Sequence, residues 1–90
     1  MRTFAYTLTH PLGLHARPCF ALSGEADDWN CETVVSCKGQ RANARERLEL
    51  MGLNLSCGDE LTVGFEGPDE DAAHDAFFEL LRALDLDRDE

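Results

Sequence analysis

The sequence predicts an α+β fold: one mostly antiparallel sheet of four strands with three helices on one of its faces, in the order β-α-β-β-α-β-α. Three observations carry this. Residues 2–9, 31–37 and 60–66 alternate apolar with polar positions at the period of a half-buried strand. Residues 16–27 and 69–84 instead repeat their apolar positions at helical spacing. Between them, Lys38-Gly39-Gln40 has the chemistry of a short hairpin link. Helices interleaved with hairpin strands place all helices on a single face of one open sheet, and 90 residues make one domain, 1–90.

Each element has its own reason. In the first strand Phe4, Tyr6 and Leu8 oppose Thr3, Ala5, Thr7 and Thr9, and His10-Pro11-Leu12-Gly13 then ends the alternation as a loop. The first helix, from Ala16 to about Asp27, is expected to bury Ala16, Cys19, Phe20, Leu22, Ser23 and Ala26, with Trp29 covering the end of the core. The second strand sets Cys31, Thr33, Val35 and Cys37 opposite Glu32, Val34 and Ser36, and Arg41-Ala42-Asn43 returns from the hairpin. Asn43 to about Leu55 favours a short helix with Leu48, Met51 and Leu55 on one side. Leu61, Val63 and Phe65 alternate most cleanly of all. The last helix opens at Asp69 as cap, buries Ala73, Phe77, Leu80, Leu81 and Leu84, and leaves His74 on the surface and 85–90 as a frayed charged tail.

Composition removes several function classes. Eighteen acidic residues against eight basic give a net charge of −10, the wrong sign for nucleic acid or an anionic membrane surface. No apolar run is long enough to span a bilayer, and the start lacks the apolar core of a signal peptide, so a cytoplasmic monomer is expected. Cys19, Cys31, Cys37 and Cys57 follow no metal-ligand spacing and read as buried or half-buried free thiols, with no metal and no cofactor.

The chemistry concentrates in Gly13-Leu14-His15-Ala16-Arg17-Pro18. Pro18 suits a first helical turn, where its missing N–H costs nothing. A helix starting near Ala16 leaves backbone N–H groups aimed at the His15 end, and with the positive end of the macrodipole these make an anion site. Arg17 adds a permanently charged forked donor for phosphate oxygens. A lone histidine here would read as a helix cap beside a solvated arginine. The whole constellation points instead to an imidazole nucleophile beside a phosphate cradle built from the backbone of Ala16 and Arg17.

This stretch resembles the active-site signature of the HPr family, the histidine-containing phosphocarriers of the bacterial sugar phosphotransferase system. Asn43-Ala44-Arg45, then Leu48, Met51 and Leu55, then Gly58-Asp59-Glu60-Leu61 form a second match, and the likeness runs through essentially the whole chain without a gap. The resemblance implies an open-faced β-sandwich. It also implies that His15 accepts a phosphoryl group on Nδ1 from phosphorylated enzyme I and passes it to an enzyme IIA-type acceptor, with Arg17 holding the phosphate. Such a carrier is not itself an enzyme. Phosphoryl transfer asks mainly for alignment and charge stabilisation, and a neutral imidazole is required, so His15 is expected to titrate below a free histidine.

Departures from the family pattern fall on the presenting surface. A serine targeted by a regulatory kinase in Gram-positive members is here Glu46, so that regulation is expected to be absent. Glu46 reads either as a solvent-facing residue at a helix start or as a permanent partial mimic of the modified state, in which case the domain would act as a regulatory docking module. Partner docking is assigned to Cys19, Phe20, Arg47, Leu48 and Met51, with Arg47 and Glu49 altering partner choice. Cys19, near the helix start, reads either as a reactive thiol or as one buried against the sheet.

Overall fold

The computed structural model describes residues 1–14 and 16–87. Its four strands are β1 (Arg2–Thr7), β2 (Glu32–Cys37), β3 (Gln40–Asn43) and β4 (Glu60–Glu66). They form one sheet in the order β1-β4-β2-β3, antiparallel at every pairing. Register aligns the inward residues into layers: Phe4, Val63, Val35 and Ala42 stand in one row across all four strands. Burial follows the period of two, with Leu61, Val63 and Phe65 inward on β4 and Thr33, Val35 and Cys37 on β2. The hairpin turn requires positive φ at both central residues to match the strand twist. Lys38 (φ 54°) and Gly39 (φ 77°) supply it.

Three helices cover the inward face: α1 (Ala16–Asp27), α2 (Arg47–Gly52) and α3 (Glu70–Leu86). Helix α1 buries Cys19, Leu22, Ser23 and Ala26, and α3 buries Ala73, Phe77 and Leu81. Phe65 meets Phe77 edge-on at 5.7 Å, and Phe4 meets Phe78 at 5.1 Å, in the offset geometry aromatic quadrupoles favour. The fold class and the element order are those the sequence predicts, with the sheet antiparallel throughout.

Several positions depart from the sequence expectation. Ala16 and Phe20 on α1 are exposed, because the helix turns only its Cys19, Leu22, Ser23 and Ala26 stripe to the sheet. On α2 the buried residue is Leu50, while Leu48 is 76% exposed. A six-residue helix has only one turn to bury, and Leu53 and Leu55 enter the core from the segment after it. Asp69 stands at the start of α3 but makes no side-chain cap there; its carboxylate accepts the Asn30 N–H at 2.9 Å. His74 is half-buried with its ring edge-on to Phe4 and Phe65. Helix α3 also runs through Leu86, and Asp85 is wholly buried rather than part of a frayed tail. Residues 88–90 of that tail lie outside the described residues.

Candidate functional site

The site is built where β1 gives way to α1. Past the sheet, Leu8 continues inward and is held on both sides: its N–H donates to the Asp59 carbonyl at 2.9 Å, and its carbonyl accepts the Gly58 N–H at 2.8 Å. The loop then folds on itself, with the Gly13 N–H on the His10 carbonyl at 2.9 Å and the Leu12 N–H on His10 Nδ1 at 3.1 Å. At its far end the Leu14 N–H donates to the Leu55 carbonyl at 2.9 Å. Gly13 is buried at φ 64°, and a Cβ there would come within 2.2 Å of the Leu55 oxygen. The signature glycine is therefore required by close backbone approach as well as by backbone conformation.

Helix α1 starts at Ala16, as expected, so the N–H groups of Ala16 and Arg17 lie in its first turn, where they lack intrahelical acceptors. Pro18 falls in the same turn, and no acidic side chain competes there for an incoming anion. Arg17 is exposed and makes no ion pair among the described residues. His15, the proposed nucleophile, falls outside the described residues. Its neighbours on both sides are placed: Leu14 is pinned to Leu55, and Ala16 is the first residue of α1.

Cys19 is buried completely, and its Sγ donates to the Leu14 carbonyl at 3.6 Å. Burial pushes its thiol up to about 11, opposite to the shift a reactive helix-start thiol needs. It supports the loop from beneath and offers nothing to a docking partner. Phe20 is different: it is 47% exposed, with the Arg47 guanidinium stacked 4.9 Å from its ring centroid. Leu48 is exposed on α2, and Met51 on the same helix is half-buried against the core. Of the five predicted docking residues, Phe20, Arg47 and Leu48 are exposed, Met51 is half-buried and Cys19 lies in the core.

Glu46 sits immediately before α2, exposed, and its side chain caps nothing; its backbone is used on both sides, the N–H donating to the Asn43 carbonyl at 2.9 Å and the carbonyl accepting the Leu50 N–H at 3.0 Å. Glu49 folds back so that Oε1 accepts the Asn43 N–H at 3.0 Å, closing the end of β3. Arg45 is exposed but anchored, its Nη2 donating to the Trp29 carbonyl and to the Cys31 carbonyl at 3.2 Å. All four cysteines are free, and Cys57 is exposed rather than buried. Among the described residues no cluster of three His, Cys, Asp or Glu side chains is arranged to hold a metal, and no helix is long and apolar enough to cross a membrane.

One residue that holds the chain entering this loop was missed in the sequence. Asp85 accepts hydrogen bonds from the Tyr6 hydroxyl, the Thr9 N–H and hydroxyl, and the His10 N–H. The available signal was spacing, since Ala73, Phe77, Leu81 and Asp85 recur every four residues along the buried stripe of α3.

Comparison with known proteins points the same way as the geometry. Residues 2–83 match the family model described as the HPr component phosphorylation site of the phosphotransferase system. The phosphocarrier protein HPr of Lysinibacillus sphaericus is 37% identical over 86 residues, covering 96% of this chain and 98% of its own. That of Mycoplasma pneumoniae is 33% identical over 82 residues, covering 90% and 93%. A solved histidine-containing phosphocarrier protein from Mycoplasma superposes with a TM-score of 0.91 at 25% identity, over 98% of this chain and all of that one. With the sheet order, the helix start at Ala16 and these likenesses together, the chain belongs to the HPr family of phosphocarriers of the phosphotransferase system.

Proposed function

We propose that His15 accepts a phosphoryl group from phosphorylated enzyme I and delivers it to an enzyme IIA-type acceptor. The Nδ1 lone pair of a neutral imidazole attacks phosphorus as the bond to the donor breaks. The ring proton stays on Nε2 and the phosphoryl group leaves later to the acceptor by the same in-line exchange. Arg17 and the N–H groups of Ala16 and Arg17 take the phosphate oxygens, and no proton transfer by a further side chain is needed. Phe20, Arg47, Leu48 and Met51 form the surface on which both partners dock in turn, and the carrier works as a monomer in the cytoplasm.

The observation that carries this reading is the opening of α1 at Ala16 directly after residue 15, with no carboxylate in its first turn and Arg17 in no ion pair among the described residues. Incubation with phosphoenolpyruvate and the enzyme I of the same organism is expected to give an acid-labile phosphoryl adduct by intact mass, absent in His15→Ala. An NMR titration of the wild-type chain should place His15 below free histidine. No adduct on the wild-type chain would sink the carrier reading, and persistence of the adduct in His15→Ala would move the site elsewhere.

A further inference from the structure

Asp85 is the one buried carboxylate among the described residues, with 0% exposure, and its position is costly twice over. A carboxylate loses solvation when it leaves water, and it stands in the last turn of α3, where the negative end of the helix dipole disfavours an anion. The stripe it continues, Ala73, Phe77 and Leu81, is apolar, so a leucine would pack there without either cost. Four donors meet the carboxylate from one stretch of chain: Tyr6 Oη at 2.8 Å, Thr9 N at 2.9 Å, Thr9 Oγ1 at 2.7 Å and His10 N at 2.9 Å.

That stretch leads to the signature. The N–H groups of Thr9 and His10 are the last two before Pro11, which has none. Beyond them the loop is held by its own bonds, Gly13 to His10, and then by Leu14 on Leu55. The five residues from His10 to Leu14 are thus fixed at their entry by α3 and at their exit by the segment after α2. A buried polar group that costs stability is best explained where it imposes one geometry.

We propose that Asp85 is a positioning residue for phosphoryl transfer, latching the entry of the His15 loop to the end of α3 so that the loop meets the start of α1 in one register. The proposal rests on the carrier reading of His15. Misplacement of a reacting group by an ångström costs on the order of a hundredfold in rate, so loosening one of two anchors is expected to lower kcat rather than docking affinity.

The test measures each chain as substrate of phosphorylated enzyme I. Asp85→Ala is expected to lower kcat about tenfold or more, with KM within about twofold because Phe20, Arg47, Leu48 and Met51 are untouched. Asp85→Asn keeps an oxygen for the Thr9 and His10 N–H groups and should recover most of the rate. Val63→Ala, a core truncation in β4, serves as a variant of reduced stability that leaves both constants unchanged. If Asp85→Ala does not fold, Tyr6→Phe and Thr9→Val each delete one hydroxyl donor and are expected to lower kcat several-fold at unchanged KM. A folded Asp85→Ala with wild-type kcat, unchanged rates in both single-donor variants, or an equal loss in Val63→Ala would overturn the latch. Failure of the wild-type chain to accept a phosphoryl group would instead overturn the carrier reading, and the latch with it.

Discussion

Cys19 and Cys57 show at the scale of single residues how surroundings set thiol chemistry. Cys19 lies at a helix start, where the dipole alone would favour thiolate, yet it is sealed between the loop and the sheet, and desolvation holds it protonated to about 11. Cys57 is exposed in the turn before β4, its Sγ on the Thr9 carbonyl at 3.6 Å. Cys31 and Cys37 are buried in the core. A native chain treated with an aromatic disulfide reagent at neutral pH is therefore expected to release one equivalent quickly, lost in Cys57→Ser, and the remaining three only on unfolding. Rapid reaction of Cys19 in the folded chain, located by mass mapping, would contradict the burial assigned to it.

Helix α2 is where local structure most directly separates stability from function. Leu50 is 1% exposed and Leu48 is 76% exposed, two residues apart on a six-residue helix. Truncation at Leu50 removes core atoms and leaves a cavity, so Leu50→Ala should cost about 2–5 kcal/mol in urea unfolding. Leu48→Ala should stay within about 0.5 kcal/mol of wild type and raise the KM for phosphorylated enzyme I, as loss of an interface anchor does. Equal destabilisation by the two would mean the helix is turned differently from its assigned phase. That phase was hard to read from sequence, because Leu48, Leu50, Met51, Leu53 and Leu55 crowd two faces of a helix too short to average over. Where periodicity had room it was legible: α1 begins at Ala16 and ends at Asp27 as expected, and Leu61, Val63 and Phe65 turn inward on β4. Within the signature, Gly13 and the helix start at Ala16 were legible because each residue type there has a local use. Asp85 was not, since a carboxylate among Asp85-Leu86-Asp87 carries the composition of a tail, and its donors lie 75 to 79 residues away. His74 was misplaced likewise, its burial depending on Phe4 and Phe65 from other elements.

Across the whole molecule, a net charge of −10 still leaves cations outside ion pairs at the starts of α1 and α2. Arg2 pairs with Asp71, Lys38 with Asp59 and Arg82 with Glu79, whereas Arg17, Arg41, Arg45 and Arg47 make no ion pair among the described residues. The remaining carboxylates tie distant parts of the fold together, and this sets the response to acid. At Asp85 burial pushes the carboxyl up, but donation from the Thr9 hydroxyl, the His10 and Thr9 N–H groups and the Tyr6 hydroxyl outweighs it and leaves the group below its ordinary 3.8. The Ser56 N–H and then Lys38 lower Asp59, and the Gly67 N–H and then the chain's amino terminus lower Glu70. For each, the folded value lies below the unfolded one, so its contribution is complete above the ordinary carboxyl values of 3.8 and 4.5 and is lost as pH falls through the folded value. Cys19 acts in the opposite range: folded near 11 against an ordinary 9.0, it contributes fully below 9.0 and loses that contribution as pH rises toward 11. Urea midpoints measured across pH are thus expected to hold level through neutrality and to fall on both sides. Asp85→Asn should lower the neutral plateau and flatten the acid limb, because an amide has no proton to gain there. Cys19→Ala should flatten the alkaline limb alone. Acid limbs of equal slope in Asp85→Asn and wild type would show that the carboxylate holding α3 to the His15 loop is not charged in the native molecule.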